Sequence, residues 1–273
     1  MSDLSPADFQ WLCALVKDQA AIVIDAGKEY LVQARLSPLA ASEGCANVGA
    51  LIGRLRGMRV NGLHRRVVEA MTINETSFFR DWRPFEALRT AVLPELIKSR
   101  AAARQLNLWS AACSSGQEAC SLAILLREHF PELRSWSVKV LATDFSAEMV
   151  ERGKSGMYPQ LEVNRGLPAP LLLKYFDRHG LDWRVRESVR SLIEFRQANL
   201  AGDWPSMPQM DVVFLRNVLI YFDQETKKRI LAKVRTVLRP GGLLFLGAAE
   251  TTFNLDPAWE RVALDGTSAY RAL

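Results

Sequence analysis

From Leu106 onward the sequence alternates short apolar runs with stretches of helical periodicity, and few folds are compatible with that alternation. The apolar runs predict strands at Leu106–Ser110, Val138–Thr143, Leu192–Gln197, Asp211–Arg216, Gly242–Gly247 and Ser268–Leu273. The periodic stretches predict helices at Glu118–His129, Ala147–Lys154 and Gln224–Leu238. Strands that alternate with helices indicate a doubly wound, mostly parallel sheet of the α/β class.

The residues before this alternation have helical periodicity alone. Phe9–Val16, Tyr30–Leu36 and Val48–Leu55 carry apolar residues three and four positions apart, which indicates helices with one buried face. Helix stops and turns are expected at Gly27, Pro38, Gly44 and Gly62. We therefore expect an all-helical domain at residues 1–71 and an α/β domain at residues 72–273.

A long segment separates the second and third expected strands. Beyond the intervening helix, residues 155–190 exceed the length that a crossover connection needs. Within them, Leu181–Glu187 alternates apolar and polar residues as a strand does. We therefore expect a small inserted subdomain at about residues 155–190.

The composition is that of a soluble globular protein. Of the 273 residues, 49% are hydrophobic and 24% are charged. The longest apolar runs are of strand length, far short of the roughly 20 residues that cross a membrane. Met1–Pro6 lacks the basic and then apolar run of a signal peptide. A cytoplasmic protein without membrane insertion is expected.

Metal-ligand spacing is absent from the sequence. The cysteines and histidines are Cys13, Cys45, Cys113, Cys120, His64, His129 and His179. No two of the cysteines form a C-x-x-C pair and the histidines are scattered, so no metal is expected. The net charge of +5 favours a partner with an acidic surface.

Ligands of a parallel sheet bind beyond the carboxyl ends of its strands. The first strand leads into Ser110–Glu118, where small residues and Gly116 allow the backbone to curl around a ligand. This loop lacks the G-x-G-x-x-G pattern, which disfavours a nicotinamide cofactor. Asp144 ends the second strand, where a carboxylate can accept from ribose hydroxyls, although it could instead cap the following helix. A Pro-Gly-Gly turn lies within Leu238–Gly247.

In this order, the loop, the acid and the Pro-Gly-Gly turn resemble the seven-stranded class I methyltransferases, whose sheet is Rossmann-like. Further motifs are Asn74-x-Thr-x-x-Phe-Arg80, Trp109–Glu118, Thr143–Phe145, Ala198–Leu200 and Arg216–Asp223. Together these motifs resemble the chemotaxis receptor (protein-glutamate) O-methyltransferase family of CheR type over nearly the whole chain. The resemblance implies S-adenosylmethionine as cofactor, S-adenosylhomocysteine as product and an inserted subdomain that is antiparallel.

The resemblance also implies a set of site residues. Those implied for the cofactor are Asn74, Thr76, Arg80, Gly116, Glu118, Asp144, Asn199, Leu200, Arg216 and Asn217. Arg80 and Tyr221 are the expected catalytic residues, which orient a glutamate carboxylate by charge and by a phenol hydrogen bond. The family commonly has Gly-Glu-Glu-Pro-Tyr-Ser where this chain has Gly116–Ser121, so one acid, a proline and an aromatic are missing.

A run of basic residues without acids lies between residues 54 and 66. Its arginines are Arg54, Arg56, Arg59, Arg65 and Arg66. A charge run of this kind is usually a solvated helix face. The resemblance favours instead a docking surface for the cytoplasmic helical region of methyl-accepting receptors. The turn at Asp177–Leu181 lacks the glycine-rich extension of members that bind a receptor's C-terminal tether, so tether binding is not expected, and a monomer is expected.

Two alternatives remain open. A methyltransferase with the same sheet acting on RNA or a small molecule would suit the basic pI of 9.1. The sequence shows neither an Asn-Pro-Pro-Tyr motif nor a basic groove with stacking aromatics, so no nucleic acid partner is expected. A non-catalytic protein that signals by binding the cofactor is the other alternative, and the presence of Arg80 and Tyr221 argues against it.

Overall fold

The computed structural model describes residues 4–204 and 206–273. Its chain divides into two compact units. The first contains the chain up to Ile73 together with Tyr221–Thr226, and the second contains Asn74–Ile220 and Lys227–Leu273.

The first unit is built of four helices. They are α1 (Pro6–Ala20), α2 (Glu29–Ser42), α3 (Val48–Arg56) and α4 (Gly62–Ala70). Polar caps fix where three of them begin, because Ser5, Asn47 and Asn61 accept hydrogen bonds from backbone amides of the first turn. Their apolar faces form a buried core that includes Leu12, Val16, Val32, Leu36, Leu51, Ile52, Leu55, Val67 and Val68.

The helix stop expected at Pro38 is wrong. Helix α2 continues through Pro38 to Ser42. A proline inside a helix removes one hydrogen bond and crowds the preceding turn, but Pro38 is exposed to solvent, which can hydrate the carbonyl that loses its partner. Burial of Leu36 and Ala40 on either side of it holds the helix together. Gly27 and Gly44 lie in turns with positive φ, and Gly62 is the first residue of α4.

Residues 221–226 complete the first unit. Ile22 and Phe222 form an antiparallel bridge, and the Val23 amide donates to the Tyr221 carbonyl at 2.9 Å. Asp223 pairs with Lys17 at 3.2 Å. Hydrogen bonds from the Thr226 backbone and side chain lower the pKa of Asp223 to about 2.

The second unit contains a seven-stranded sheet in the order β6-β2-β1-β7-β8-β10-β9. These strands are β1 (Gln105–Ala111), β2 (Ser137–Asp144), β6 (Ile193–Gln197), β7 (Met210–Leu215), β8 (Leu238–Leu246), β9 (Trp259–Leu264) and β10 (Thr267–Ala272). Strands β6, β2, β1, β7 and β8 are parallel, and β10 pairs antiparallel to β8 and β9. The sheet confirms the predicted class I methyltransferase fold. Strand β9 was missed because it is half exposed and carries Glu260 and Arg261.

Helices flank this sheet. They are α5 (Arg83–Ala87), α6 (Leu93–Arg100), α7 (Gln117–His129), α8 (Ala147–Ser155) and α12 (Gln224–Val237). A π-helical turn, Leu88–Val92, joins α5 to α6. Helix α7 is buried on almost every side from Ala119 to Leu126, so it forms the centre of the core. Among the described residues, no helix is both long and apolar enough to cross a membrane.

The inserted segment forms a three-stranded antiparallel sheet in the order β3-β5-β4, as the resemblance implies. Its strands are β3 (Met157–Pro159), β4 (Phe176–His179) and β5 (Asp182–Val185), and its helices are α9 (Gln160–Val163), α10 (Ala169–Tyr175) and α11 (Glu187–Arg190). Tyr158 and Phe176 are buried and join the core of the second unit.

Candidate functional site

Four neighbouring strands, β6, β2, β1 and β7, end at the same edge of the sheet because they are parallel. The chain leaves this edge through Ala112–Gly116 after β1, Asp144 at the end of β2, Asn199 after β6 and Arg216 after β7. The topology therefore brings together residues that lie more than 100 positions apart in the sequence. This edge is where open parallel sheets bind their ligands.

The loop after β1 has an unusual backbone. Ala112, Ser114 and Gly116 all have positive φ, and Gly116 at +93° begins α7. A Cβ on Gly116 would lie 2.8 Å from the Phe195 ring and 3.2 Å from the Tyr158 hydroxyl, so no larger residue fits there. The glycine lets the loop pass tightly over β6 and leaves the first amides of α7 at the edge of the sheet.

Asp144 organises this loop. Its carboxylate accepts from the Ser114 amide at 2.7 Å and from the Ser146 amide at 2.9 Å. The side chain that caps α8 is Ser146, which accepts from the Met149 amide. Asp144 therefore links the loop after β1 to the segment that leads into α8.

Glu118 and Arg216 form a buried ion pair beneath the loop. The Arg216 guanidinium donates to Glu118 at 3.1 Å and to Asp81 at 2.7 Å, and its side chain is only 1% exposed. Ser110 Oγ donates to the other oxygen of Glu118 at 2.8 Å. Burial raises the pKa of Glu118, and its contacts with Arg216 and Ser110 offset part of that rise.

The segment before α5 crosses this edge. The Ser114 hydroxyl donates to the Asn74 carbonyl at 2.8 Å, and Arg216 donates to the Arg80 carbonyl at 3.0 Å. The Arg80 guanidinium donates to the Glu75 carbonyl at 3.0 Å, which leaves most of its donors available. Thr76 is half-buried in the same segment.

The loops after β6 and β7 carry the remaining expected residues. Asn199 is half-buried, and its side-chain oxygen accepts from the Ala201 amide at 3.0 Å. Leu200 is 6% exposed and packs in the core, so core packing is enough to account for a leucine at this position. Asn217 has a φ of +57°, which asparagine tolerates better than most residues.

Sequence reasoning missed Glu250. Its carboxylate accepts from the backbone amides of Asn217, Val218, Leu219 and Gly247 at 2.7 to 2.8 Å. One side chain therefore fixes the loops that follow β7 and β8. The sequence shows Glu250 only as an acid shortly after a buried strand, and such acids are common. The structure shows that its carboxylate binds the backbone amides of the loop after β7.

Asp81 was missed too, and it is the second carboxylate partner of Arg216. The segment containing it is strained, because Phe79, Asp81 and Trp82 all have positive φ. The sequence offers one indication of a role for Asp81, namely its position directly after Arg80 in the motif. The structure holds this bend in place by the Phe79 amide, which donates to Ser121 Oγ at 2.9 Å.

Tyr221 and the five arginines between residues 54 and 66 belong to the first unit. Tyr221 ends a short 3₁₀ turn, Leu219–Tyr221, and is half-buried. The arginines are exposed, but three of them have acidic partners: Arg54 and Arg66 contact Glu43, and Arg56 contacts Asp8. In the part of the chain that the structure describes, Arg59 and Arg65 have no acidic partner.

Comparisons with known proteins match both units. A family model described as "CheR methyltransferase, SAM binding domain" matches residues 74–265, and one described as "CheR methyltransferase, all-alpha domain" matches residues 7–72. The chain is similar to "Chemotaxis protein methyltransferase 1" of Pseudomonas aeruginosa, with 42% identity over 97% of this chain and 98% of that one. It is also similar to "Chemotaxis protein methyltransferase Cher2" of Pseudomonas putida, with 39% identity over 97% and 98% of the two chains.

Proposed function

The chain belongs to the CheR methyltransferase family, a methyltransferase family of chemotaxis whose cofactor is S-adenosylmethionine, and from this we propose that it methylates glutamate carboxylates of methyl-accepting chemotaxis receptors. The product would be a glutamate methyl ester. The observation that supports this proposal is the edge where four parallel strands end, at which Asp144 holds the loop after β1 and Arg216 joins Glu118 to the Arg80 backbone. The acids Glu118 and Asp144 suit the cationic methyl donor, and Arg80 suits an anionic acceptor.

The reaction requires little acid or base. When bound, S-adenosylmethionine supplies an electrophilic methyl group: a carboxylate oxygen forms the new O–C bond, the C–S bond breaks, and its electron pair stays on sulfur. A glutamate carboxylate is already ionised at neutral pH, so no proton moves. Alignment of donor and acceptor is then the main contribution of the protein.

The residues at the edge fit the cofactor. We assign Asp144 to the ribose hydroxyls, since it is an acceptor at the carboxyl end of β2, beside the loop whose Ser114 amide it binds. Asn199 suits the adenine edge, where its amide can donate and accept. Asn74, Thr76, Gly116, Glu118, Leu200, Arg216 and Asn217 complete the proposed pocket. Among these, Arg216 acts by holding Glu118, because its side chain is buried.

Arg80 and Tyr221 are the proposed catalytic residues. We assign Arg80 to charge pairing with the carboxylate of the incoming glutamate, since in the described part of the chain its guanidinium binds only the Glu75 carbonyl. Tyr221 is assigned to orienting the acceptor through its phenol. Neither is a strong base at neutral pH, which suits a carboxylate acceptor and disfavours an amine or hydroxyl acceptor.

The positions of the histidines support the same acceptor. In the second unit the histidines are His129 and His179. His129 is the last residue of α7, whose first residue lies at the site, and a helix of this length spans about 20 Å. His179 is exposed in the small sheet. No histidine of the described second unit is therefore placed at the edge to act as a general base.

The partner in this proposal is the cytoplasmic helical region of the receptors, and we propose that the protein acts on it in the cytoplasm, as a monomer. The arginines of the helical unit form the proposed docking surface, and within residues 4–204 and 206–273 Arg59 and Arg65 have no acidic partner. The β4–β5 turn contains only Gly180 and Leu181, so no tether is assigned to it.

The proposal is tested by incubating the protein with methyl-labelled cofactor and receptor-containing membranes, followed by peptide mapping. Label on glutamates of a receptor's helical region is the expected result. Label confined to RNA, to lipids or to lysine and arginine side chains would contradict the proposal. An Arg80→Ala variant serves as the control for enzyme-dependent label.

A further inference from the structure

A cavity of about 310 Å³ opens next to the proposed cofactor pocket. It lies where β7 and β8 end, and its walls come from Asp81 and the first residues of α5, from the residues after β8 and from the β9–β10 hairpin. It shares Asp81 and Arg216 with the site described above. A ligand in this cavity would therefore lie beside the methyl-transfer site.

Three arginines, Arg83, Arg216 and Arg261, line this cavity. Arg216 is neutralised by Glu118 and Asp81. Arg83 donates only to the Gly266 carbonyl at 3.3 Å, and Arg261 donates only to the Ser268 hydroxyl at 2.9 Å. Among the described residues neither of these two has an acidic partner, so both keep their charge available.

The acids in the wall are already engaged. Asp81 pairs with Arg216 at 2.7 Å, and the Glu250 carboxylate accepts four backbone amides. The hydroxyls of Thr267 and Ser268 add neutral donors on the hairpin side. The cavity is thus polar and positively charged, and it is suited to an anion.

We propose that this cavity is a subsite for a second carboxylate side chain of the methyl-accepting protein, bound between Arg83 and Arg261 while a neighbouring glutamate is methylated. The inference rests on the proposed function and adds to it a requirement that the acceptor segment carry more than one acid. Substrate recognition would then depend on the α/β unit as well as on the helical unit.

The test compares Arg83→Gln, Arg261→Gln and the double variant in receptor methylation assays. We expect the double variant to raise KM for the receptor about tenfold, with kcat within about twofold and unchanged affinity for S-adenosylhomocysteine. A variant with Arg83→Lys and Arg261→Lys should show a smaller rise in KM than the double Gln variant, because lysine keeps both positive charges but lacks the planar guanidinium. Thermal unfolding verifies that each variant is folded.

Arg134→Gln is the matched control. Arg134 is an exposed arginine in the 3₁₀ turn Pro131–Ser135, which precedes β2 and so lies at the opposite edge of the sheet. Its removal costs one positive charge without touching the cavity. An equal rise in KM for Arg134→Gln and for the single cavity variants would mean that only net charge matters, and the subsite would be overturned.

A competition experiment separates a protein carboxylate from a free anion. Oligoglutamate should compete with the receptor on the wild-type protein, and about tenfold more weakly on the double variant. Inorganic phosphate at matched ionic strength should not compete. Equal competition by phosphate would overturn the assignment to a substrate carboxylate. If the wild type forms the methyl ester and the cavity variants keep its KM for the receptor, this inference alone is rejected. If the wild type forms no methyl ester, the proposed function is rejected.

Discussion

Arg216 donates to Glu118 across 3.1 Å while the same guanidinium binds Asp81 and the Arg80 carbonyl. Three segments far apart in the sequence thus meet on one buried cation. Removing one partner of a buried pair typically costs about 3–5 kcal/mol, because the remaining charge loses its compensation. Arg216 is therefore the residue that holds the N-terminal segment of the site against the start of α7.

The first prediction concerns the pH dependence of stability. The pKa of Glu118 is raised above its ordinary value of 4.5, chiefly by burial. Its contribution to folding is therefore complete below pH 4.5 and is lost as pH rises through the raised value. Denaturant unfolding should show the wild type losing stability relative to Glu118→Gln as pH rises above 4.5.

Glu132→Gln, in the exposed turn before β2, corrects this comparison for the loss of one negative charge. A difference in unfolding free energy between wild type and Glu118→Gln that stays constant with pH would contradict the prediction.

The second prediction concerns cofactor affinity. Replacing Asp144 by Ala should weaken binding of S-adenosylhomocysteine by about 1–3 kcal/mol, since hydroxyls of the ligand lose their acceptor. The variant should also be less stable, because the Ser114 and Ser146 amides lose the same carboxylate. Calorimetry measures the affinity. As a control, Asp177→Ala removes an exposed acid of the small sheet and should leave the affinity for S-adenosylhomocysteine unchanged. Unchanged affinity in Asp144→Ala would refute the ribose role.

Much of the fold was predictable because its strands are buried on both faces. Strands β2, β7 and β8 therefore contain short apolar runs, Val140–Ala142, Val212–Leu215 and Leu243–Leu246, and β1 is buried from Leu106 onward. Half-exposed β9 lacks such a run. Helix α2 continues through Pro38 because burial of Leu36 and Ala40 outweighs the cost of a proline inside a helix. Periodicity reports burial of a face, so elements with little burial are hard to predict.

The site was predictable only where a motif names its residues. Gly116 and Asp144 follow strands, so their position at the edge follows from topology. Asp81 and Glu250 act through contacts with Arg216 and with backbone amides after β7, and sequence spacing gives no sign of either contact. Likewise, the run of arginines did not show that Glu43 and Asp8 already neutralise three of them.

The third prediction divides the docking arginines. Arg59→Glu and Arg65→Glu should each raise KM for the receptor about threefold to tenfold at low salt, because these arginines have no acidic partner among the residues that the structure describes. The effect should shrink with added salt, since exposed charges are screened over about 8 Å at physiological ionic strength. Lys28→Glu, an equal charge change on an exposed residue of the same unit, is the control. The same KM rise in the control would reject a specific docking face.

The fourth prediction concerns Tyr221. Tyr221→Phe removes the phenol hydroxyl and should lower kcat about tenfold, the cost of roughly one hydrogen bond, while affinity for S-adenosylhomocysteine stays the same. Its backbone contact with Val23 remains available to phenylalanine, so the first unit should stay folded. Single-turnover methylation and calorimetry separate the two effects. An unchanged kcat would remove Tyr221 from the reaction.

Treating the labelled receptor with mild alkali tests the glutamate acceptor most directly. A carboxyl methyl ester hydrolyses under these conditions, whereas N-methyl and ether linkages do not. We expect the label to leave the receptor as volatile methanol. Label that stays on the protein after alkali would contradict a carboxylate acceptor.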